Sequence, residues 1–138
     1  MKPRLFLDAA KRQMAVSREE NRRTAAGRAY YALLLECRDV LTRWGFVAPR
    51  SETVHRFVRL HFYTATIPDL VSIGTHLGII SQWRTKADYE MTSPLFAADK
   101  VAFEAISKAE NALVLLDAID GNPGLRTAAI ADIRSRWP

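Results

Sequence analysis

An arginine at a position that should be apolar is the first residue whose placement implies chemistry. Between Pro68 and Tyr89 the sequence has the spacing of a helix, and Arg84 falls on its apolar side. A charge in such an interface needs a partner, and Asp88, four residues later, can reach it on one helix. Tyr89 follows with a hydroxyl group. The apolar residues that share this side with Arg84 are Leu70, Ile73, Leu77, Ile80 and Ala87.

An earlier helix carries two further residues that can join Arg84. Arg28 and Tyr31 lie just beside the apolar seam of that helix, so they reach Arg84 if the two helices are neighbours. Two guanidinium groups can hold a phosphate, and tyrosines can stack on bases or form hydrogen bonds. A salt-bridge network that fixes the helix register is the alternative. The predicted anion- or RNA-binding site consists of Arg28, Tyr31, Arg84, Asp88 and Tyr89.

The usual sequence signals of metal and cofactor chemistry are missing. The chain has three histidines and one cysteine, Cys37, and it has no C-x-x-C or H-E-x-x-H motif. His55 and His61 are six residues apart, which directs them to different faces of one helix. There is no glycine-rich phosphate loop either. We predict no metal site and no bound cofactor.

Positive charge dominates the chain, and arginine carries most of it. The net charge is +5, and fifteen of the twenty basic residues are arginines, which suit bidentate contacts with phosphate and carboxylate. An anionic partner such as RNA, a nucleotide or an acidic protein fits this balance. No apolar run approaches the ~20 residues of a membrane span, and Asp8, Lys11 and Arg12 interrupt the region where a signal peptide is apolar. We expect a cytoplasmic protein without membrane contact.

Apolar periodicity and breakers divide the chain into helices, and no segment has the pattern of a strand. Long helices with short connections predict an all-α protein, an antiparallel up-and-down four-helix bundle with extra short terminal helices. The bundle is expected in residues 1–120, and residues 121–138 are expected to form a linker and a short, basic, amphipathic tail helix. The predicted helices run over about Arg4–Ala15, Ser17–Trp44, Glu52–Tyr63, Pro68–Tyr89, Ala98–Ile119 and Leu125–Trp137.

Local signals predict where the helices end and how closely they pack. Ser17, with Glu20 three residues later, has the spacing of a capping box at the start of the second helix. Gly45 is placed as the glycine that ends that helix. Gly74 and Gly78 leave one side of the fourth helix without side chains, which predicts a neighbouring backbone packed very close to it.

Two stretches of the chain resemble signature motifs of one family. Gly27–Ala32, which reads G-R-A-Y-Y-A, is similar to the S-R-A-Y-Y-A motif that opens the long helix of HEPN domains. Arg84–Glu90, which reads R-T-K-A-D-Y-E, is similar to the R-x-x-A-D-Y-D motif that closes a later helix in the same subgroup. A histidine between the motifs, here His55, is also common there. The order and the separation match, so the resemblance covers most of residues 17–119.

The resemblance implies an up-and-down four-helix bundle that usually forms a homodimer. The HEPN family includes metal-independent endoribonucleases, many of them toxins in toxin–antitoxin and other defence systems. Other members lack nuclease activity and bind RNA, a nucleotide or a partner protein. Many are encoded beside a small nucleotidyltransferase, which makes such a protein a candidate partner. We therefore expect a binding function in a toxin–antitoxin or defence-type system, with a ribonuclease toxin and a purely structural docking module as alternatives.

The ribonuclease alternative needs a histidine that this chain lacks at the family's position. Nuclease members carry an arginine followed, after four to six residues, by a histidine, whereas the first such position after Arg84 holds Tyr89 and the next two hold no histidine. Tyrosine, with an ordinary pKa of ~10, is a poor general base at neutral pH. The spacing recurs in Arg50 and His55 and again in Arg56 and His61, and only the second pair lies on one predicted helix. This pair is the candidate catalytic site, with the histidine as general base and the arginine stabilising the phosphate in the transition state.

Overall fold

Six helices form where the apolar spacing and the breakers allow them. A computed structural model describes all 138 residues, and it contains α-helices, one short 3-10 segment at Pro94–Phe96 and no strand. The prediction of an all-α protein is therefore confirmed. None of the six helices combines the length and the apolarity that crossing a lipid bilayer requires. The helices are α1 (Leu5–Gln13), α2 (Glu19–Arg43), α3 (Val54–Tyr63), α4 (Pro68–Tyr89), α5 (Lys100–Asp120) and α6 (Pro123–Arg134).

Helix α2 is the centre of the fold. It packs against α1, α3, α4 and α5, while α4 also packs against α3 and α5, and α6 lies on α5. The apolar seam of α2 is buried along its length, at Ala26, Tyr30, Leu33, Cys37, Val40 and Trp44. The packing of α2 on α4 brings the two halves of the predicted binding site to one interface.

The start of α2 differs from the prediction. The helix begins at Glu19 without a side-chain cap, so the capping box of Ser17 and Glu20 does not form. The Ser17 hydroxyl instead donates to the Asp99 carboxylate at 3.2 Å and accepts a hydrogen bond from Arg22 at 2.9 Å. An ionised partner forms a stronger hydrogen bond than a backbone amide. Ser17 therefore forms hydrogen bonds with the ion pair of Arg22 and Asp99 instead of capping the helix.

The end of α2 follows the prediction. Gly45 has a φ of 93°, a conformation that other residues rarely adopt. The Phe46 amide donates to the Leu41 carbonyl at 2.9 Å, and the Gly45 amide donates to the Thr42 carbonyl at 3.1 Å. This pair of hydrogen bonds is the Schellman motif, and it turns the chain sharply into the loop before α3.

The close packing predicted at two glycines of α4 is confirmed at one of them. A Cβ atom on Gly74 would lie 2.5 Å from the nitrogen and 2.6 Å from the Cα of Tyr63, so the end of α3 rests directly on α4. At Gly78 the nearest atom is Cδ of Arg59 at 3.7 Å, which is an ordinary contact with a flexible side chain. The prediction is wrong there, because α3 and α4 approach most closely near the turn that joins them.

Helix α6 holds the start of α4 in place. The Asp132 carboxylate accepts hydrogen bonds from the amides of Ile67 (2.8 Å) and Thr66 (2.9 Å) and from the Thr66 hydroxyl (2.8 Å). It thus holds the two residues that precede Pro68, at the start of a helix that has no side-chain cap. Ile133 is fully buried, and the indole of Trp137 donates to the Thr64 hydroxyl at 3.1 Å. The tail helix is therefore packed into the fold.

Candidate nucleic-acid interface

The side chain of Arg84 lies between α4 and α2, over two aromatic rings. Its Cζ atom is 5.3 Å from the centroid of the Tyr30 ring and 5.7 Å from that of the Tyr31 ring. Both distances are within the range of cation–π attraction. Only 16% of the side chain is exposed. The position of Arg84 on the apolar stripe of α4 therefore buries its stem and places its charge against the tyrosines of α2.

Arg84 leaves most of its hydrogen-bonding capacity unused. Its guanidinium makes one long hydrogen bond, from Nη1 to the Asp88 carboxylate at 3.4 Å, and its buried Nε has no partner. Arg22 and Arg23 are as deeply buried, with 13% and 11% of their side chains exposed, yet both are well satisfied. Their partners are the Asp99 and Glu19 carboxylates, the Ser17 hydroxyl and the carbonyl groups of Phe96, Ala97, Lys86, Ala87 and Met91. Since a guanidinium carries five donors, Arg84 is the least satisfied of these three arginines.

His55, at the start of α3, completes the group around Arg84. Its Nδ1 is 2.6 Å from the Tyr30 hydroxyl oxygen. Its ring is stacked on that of Tyr30, with centroids 5.6 Å apart, and meets the Tyr31 ring edge-on at 6.1 Å. Burial lowers the pKa of His55, and the charge of Arg84 lowers it further, so the imidazole is neutral at neutral pH. We call the group of Tyr30, Tyr31, His55 and Arg84 the Arg84 site.

A small open cleft lies beside the Arg84 site. It has a volume of about 190 Å³ and is lined by Arg28, Tyr31 and Asp88, together with Arg23, Thr24 and Gly27. The exposed Arg28 guanidinium lies 5.4 Å from the centroid of the Phe6 ring on α1. We call this space the Arg28 cleft. The structure thus brings Arg28, Tyr31, Arg84 and Asp88 together, as the sequence predicts.

Tyr89 is the predicted site residue that stays outside this group. It is 75% exposed and forms no side-chain hydrogen bond. One residue turns a helix by about 100°, so Tyr89 leaves the face that Asp88 occupies. Of the predicted site residues on α4, only Arg84 and Asp88 therefore belong to the cluster, and the prediction for Tyr89 is wrong.

Sequence reasoning missed two members of the Arg84 site, Tyr30 and His55. The apolar seam assigns Tyr30 to the core, where it is indeed 2% exposed, but the seam says nothing of its hydroxyl. His55 is 25 residues away along the chain, so only the fold brings it to Tyr30. The sequence signals for His55 are its place between the two family-like motifs and its spacing of five from Arg50, neither of which points to Tyr30.

The predicted catalytic residues Arg56 and His61 are not brought together. The His61 ring is 2% exposed and packs on the rings of Phe57 and Trp137, at centroid distances of 3.9 and 4.4 Å. Its Nδ1 lies 2.7 Å from the Phe57 carbonyl oxygen, so this nitrogen carries the proton. Arg56 is exposed and forms no ion pair. Five residues turn a helix by about 140°, so the two side chains leave α3 on different sides.

Neither a metal centre nor a reactive thiol is built into the fold. No three side chains of His, Cys, Asp or Glu are placed to hold a metal ion. Cys37 is fully buried, and burial raises the pKa of its thiol far above the usual range. A buried, protonated thiol is a poor nucleophile. Two buried side-chain nitrogens lack a hydrogen-bond partner, Nδ1 of His76 and Nε of Arg84. Burial lowers the pKa of His76, so Arg84 is the one of the two that carries a charge at neutral pH.

Comparison with protein-family models, with curated proteins and with solved structures finds no match for this chain. Membership of the HEPN family therefore stays a prediction from the two motifs. The function has to be argued from the geometry of the Arg84 site and from the charge around it.

Proposed function

We propose that this protein is a HEPN-like helical domain that binds RNA at the Arg84 site. The observation that carries the proposal is the buried guanidinium of Arg84, whose Nε has no acceptor and whose only hydrogen bond is 3.4 Å long. Burying a charge without full compensation costs several kcal/mol. Phosphate oxygens are strong acceptors for such a group. A phosphate oxygen that reaches the exposed part of the Arg84 guanidinium would supply an acceptor that the protein itself does not provide.

The relation between the two family-like motifs supports the HEPN part of the proposal. Tyr30 and Tyr31 of the first motif face Arg84 of the second across the interface of α2 and α4. We also propose, from the resemblance, that the protein is an up-and-down four-helix bundle and forms a homodimer. We further propose that it acts in a toxin–antitoxin or defence-type system with a nucleotidyltransferase-type partner.

The shape of the Arg28 cleft favours RNA over a free nucleotide. Pockets that enclose a small molecule are usually about 300–1,000 Å³ and bury most of it, whereas this cleft is about 190 Å³ and open. A phosphate in the cleft can meet the Arg28 guanidinium while a base stacks on Tyr31 and the rest of the strand stays outside. Arg84, whose Cζ lies 5.7 Å from the centroid of the Tyr31 ring, adds positive charge nearby. Stacking of this kind is the common way in which proteins hold unpaired bases.

RNA binding is tested with a fluorescently labelled single-stranded RNA and anisotropy. Arg84→Ala should weaken binding roughly tenfold or more, because charge-assisted hydrogen bonds to phosphate are lost. Arg12→Ala is the matched control, because Arg12 carries the same charge on α1, is exposed and lines neither the Arg28 cleft nor any other large cleft. The dissociation constant of the wild type should rise steeply with salt.

Equal binding by the wild type and Arg84→Ala contradicts the proposed site. A wild type that binds no RNA contradicts the function and favours a docking module.

A metal-independent endoribonuclease is the second candidate, and His55 is the observation in its favour. His55 and Arg84 pack against the same two tyrosines, and the lowered pKa of His55 gives a neutral imidazole at neutral pH. A neutral imidazole can accept the proton of a ribose 2′-hydroxyl as the 2′-oxygen bonds to phosphorus and the bond from phosphorus to the 5′-oxygen breaks. The departing 5′-oxygen takes a proton from water, and the guanidinium stabilises the charge on the phosphate. This pairing replaces the predicted pair of Arg56 and His61. RNA cleavage in EDTA that is lost in His55→Ala and kept in His61→Phe would support it, whereas the absence of cleavage excludes it.

A further inference from the structure

Two adjoining cavities surround the loop between α2 and α3. Their volumes are about 690 and 370 Å³, and both are lined by Gly45, Phe46 and Val47. We call the combined space the loop cleft. The arginines that line it are Arg38 and Arg50 in the larger cavity and Arg134 and Arg136 in the smaller one.

Positive charge exceeds negative charge around the loop cleft. No aspartate or glutamate is among its lining residues. Arg38 is paired with Asp39 at 3.0 Å, and the charge of Arg136 helps to lower the pKa of Asp132. Arg50 and Arg136 are exposed and form no ion pair. Exposed guanidinium groups of this kind attract phosphate groups.

An apolar wall lies beside these charges. The Arg134 guanidinium donates to the Gly45 carbonyl at 3.1 Å and lies over the Phe46 ring at 4.4 Å. Val47 is 90% exposed at the lining of both cavities, and Trp137 lines the smaller one. Proteins that hold single strands combine a positively charged groove for the backbone with aromatic side chains for the bases. Trp137 is the half-buried aromatic side chain of the loop cleft, since Phe46 is buried beneath Arg134.

One face of α2 borders both the Arg28 cleft and the loop cleft. Thr24, Arg28 and Tyr31 line the Arg28 cleft, and Arg38 and Thr42 line the loop cleft. These positions follow each other in steps of four, three, seven and four residues, so they share one side of the helix. The helix rises about 15 Å from Arg28 to Arg38. An extended strand that follows α2 can therefore occupy both clefts.

We propose that the loop cleft binds the phosphate backbone of a single-stranded RNA whose neighbouring nucleotides occupy the Arg84 site. This inference rests on the proposed function, and it extends that function from one phosphate site to a path along α2. A polymer fits better than a small molecule because the two groups of arginines are separated along the helix and both clefts are open. Arg50 and Arg136 supply the contacts at the far end of the path.

The path is tested by comparing oligouridylates of about four and about twelve nucleotides, the range of site sizes seen for single-strand binding folds. In the wild type the longer strand should bind roughly tenfold more tightly, because it adds charge-assisted contacts in the loop cleft. The double variant Arg50→Ala/Arg136→Ala should lose this gain and leave binding of the short strand unchanged. Its salt slope for the long strand should fall by about 1.4, since a single strand contributes about 0.7 for each phosphate neutralised. The double variant Arg12→Ala/Arg18→Ala removes the same charge from exposed positions outside both clefts and should behave as the wild type.

The outcomes separate this inference from the proposed function. If the gain with length persists in Arg50→Ala/Arg136→Ala while Arg84→Ala weakens both strands, the path is wrong and the Arg84 site stands. If both double variants lose the gain equally, net charge explains the effect and the path is wrong. If the wild type binds neither strand, the proposed function and the path fail together.

Discussion

The guanidinium of Arg84 lies over the ring of Tyr30, 5.3 Å from its centroid, with a buried Nε that no acceptor reaches. Cation–π attraction at a partly buried site offsets only part of the cost of removing a charge from water. A residue kept only for stability would be expected to have its donors satisfied, as Arg23 does. Comparing the stability of variants at Arg84 and Arg23 therefore tests whether Arg84 has a structural or a functional role.

Replacement of Arg84 by leucine, which matches the apolar side of α4, should stabilise the protein. Arg84→Leu should raise the free energy of unfolding by about 1 kcal/mol, because an apolar side chain removes a poorly compensated charge. Arg23→Leu should lower it by about 2 kcal/mol, because the carbonyl groups at the end of α4 lose their donors. Urea denaturation followed by circular dichroism measures both. Equal losses of stability in the two variants would mean that Arg84 is a structural residue.

The sequence predicts local features of this fold well where the signal is itself local. Pro68 at the first turn and the apolar stripe set both ends of α4, and Gly45 sets the end of α2. Ser17 shows the opposite case, because the Asp99 carboxylate that takes its hydroxyl is 82 residues away. No pattern within a helix can report such a partner.

The residues of the candidate site were likewise predictable only where the signal lies within one helix. Arg84 and Asp88 are visible because they share one helix, and Arg28 and Tyr31 because they flank a seam that faces α4. His55 joins the site through the hydroxyl and ring of Tyr30 and the ring of Tyr31. That contact requires α3 to be placed against α2, which depends on packing across the whole core rather than on spacing in either helix.

The two glycines of α4 should respond oppositely to the same substitution. Gly74→Ala should lower the free energy of unfolding by about 2–3 kcal/mol, because its Cβ would collide with the Tyr63 backbone and force α3 away. Gly78→Ala should be neutral or stabilise by up to about 1 kcal/mol, because its Cβ meets only the movable Arg59 side chain and alanine favours the helix. Thermal unfolding of both variants in parallel checks this. Similar melting temperatures would show that α3 does not rest on Gly74.

Asp132 should stabilise the start of α4 from its place on α6. Asp132→Ala should lower the free energy of unfolding by about 1 kcal/mol, because the hydrogen bonds to Thr66 and Ile67 are lost. Asp132→Asn keeps an acceptor oxygen and should lose less. Comparable losses in the two variants would indicate that Asp132 acts through its charge rather than as a hydrogen-bond acceptor.

The carboxylate of Asp132 also predicts how acid acts on the fold. Burial alone would raise its pKa, but hydrogen bonds from Ile67 and Thr66 outweigh burial and hold the pKa below its usual value. Its contribution is therefore present above the ordinary pKa of about 3.9 and is lost as the pH falls through the lower folded value. Unfolding free energies of the wild type and Asp132→Asn should converge as the pH is lowered in this window. A constant difference would contradict the assignment.

His61 should make the protein less stable in mild acid. Burial lowers the pKa of His61, and the hydrogen bond to the Phe57 carbonyl, which acts in the opposite direction, does not restore it. As the pH falls, the unfolded chain takes up a proton at a higher pH than the folded chain. The stabilisation is therefore complete above about pH 6.5 and declines as the pH falls towards the folded pKa.

His61→Phe keeps an aromatic ring against Trp137 but cannot titrate. Its stability should change less between about pH 7.5 and 5 than that of the wild type, by at most about 1.4 kcal/mol per pH unit. The pKa values of His55 and His76 are lowered in the same direction, so a smaller pH dependence remains in the variant. Identical pH profiles of wild type and variant would mean that His61 is protonated equally in the folded and unfolded states, and its buried, neutral state would then be wrong.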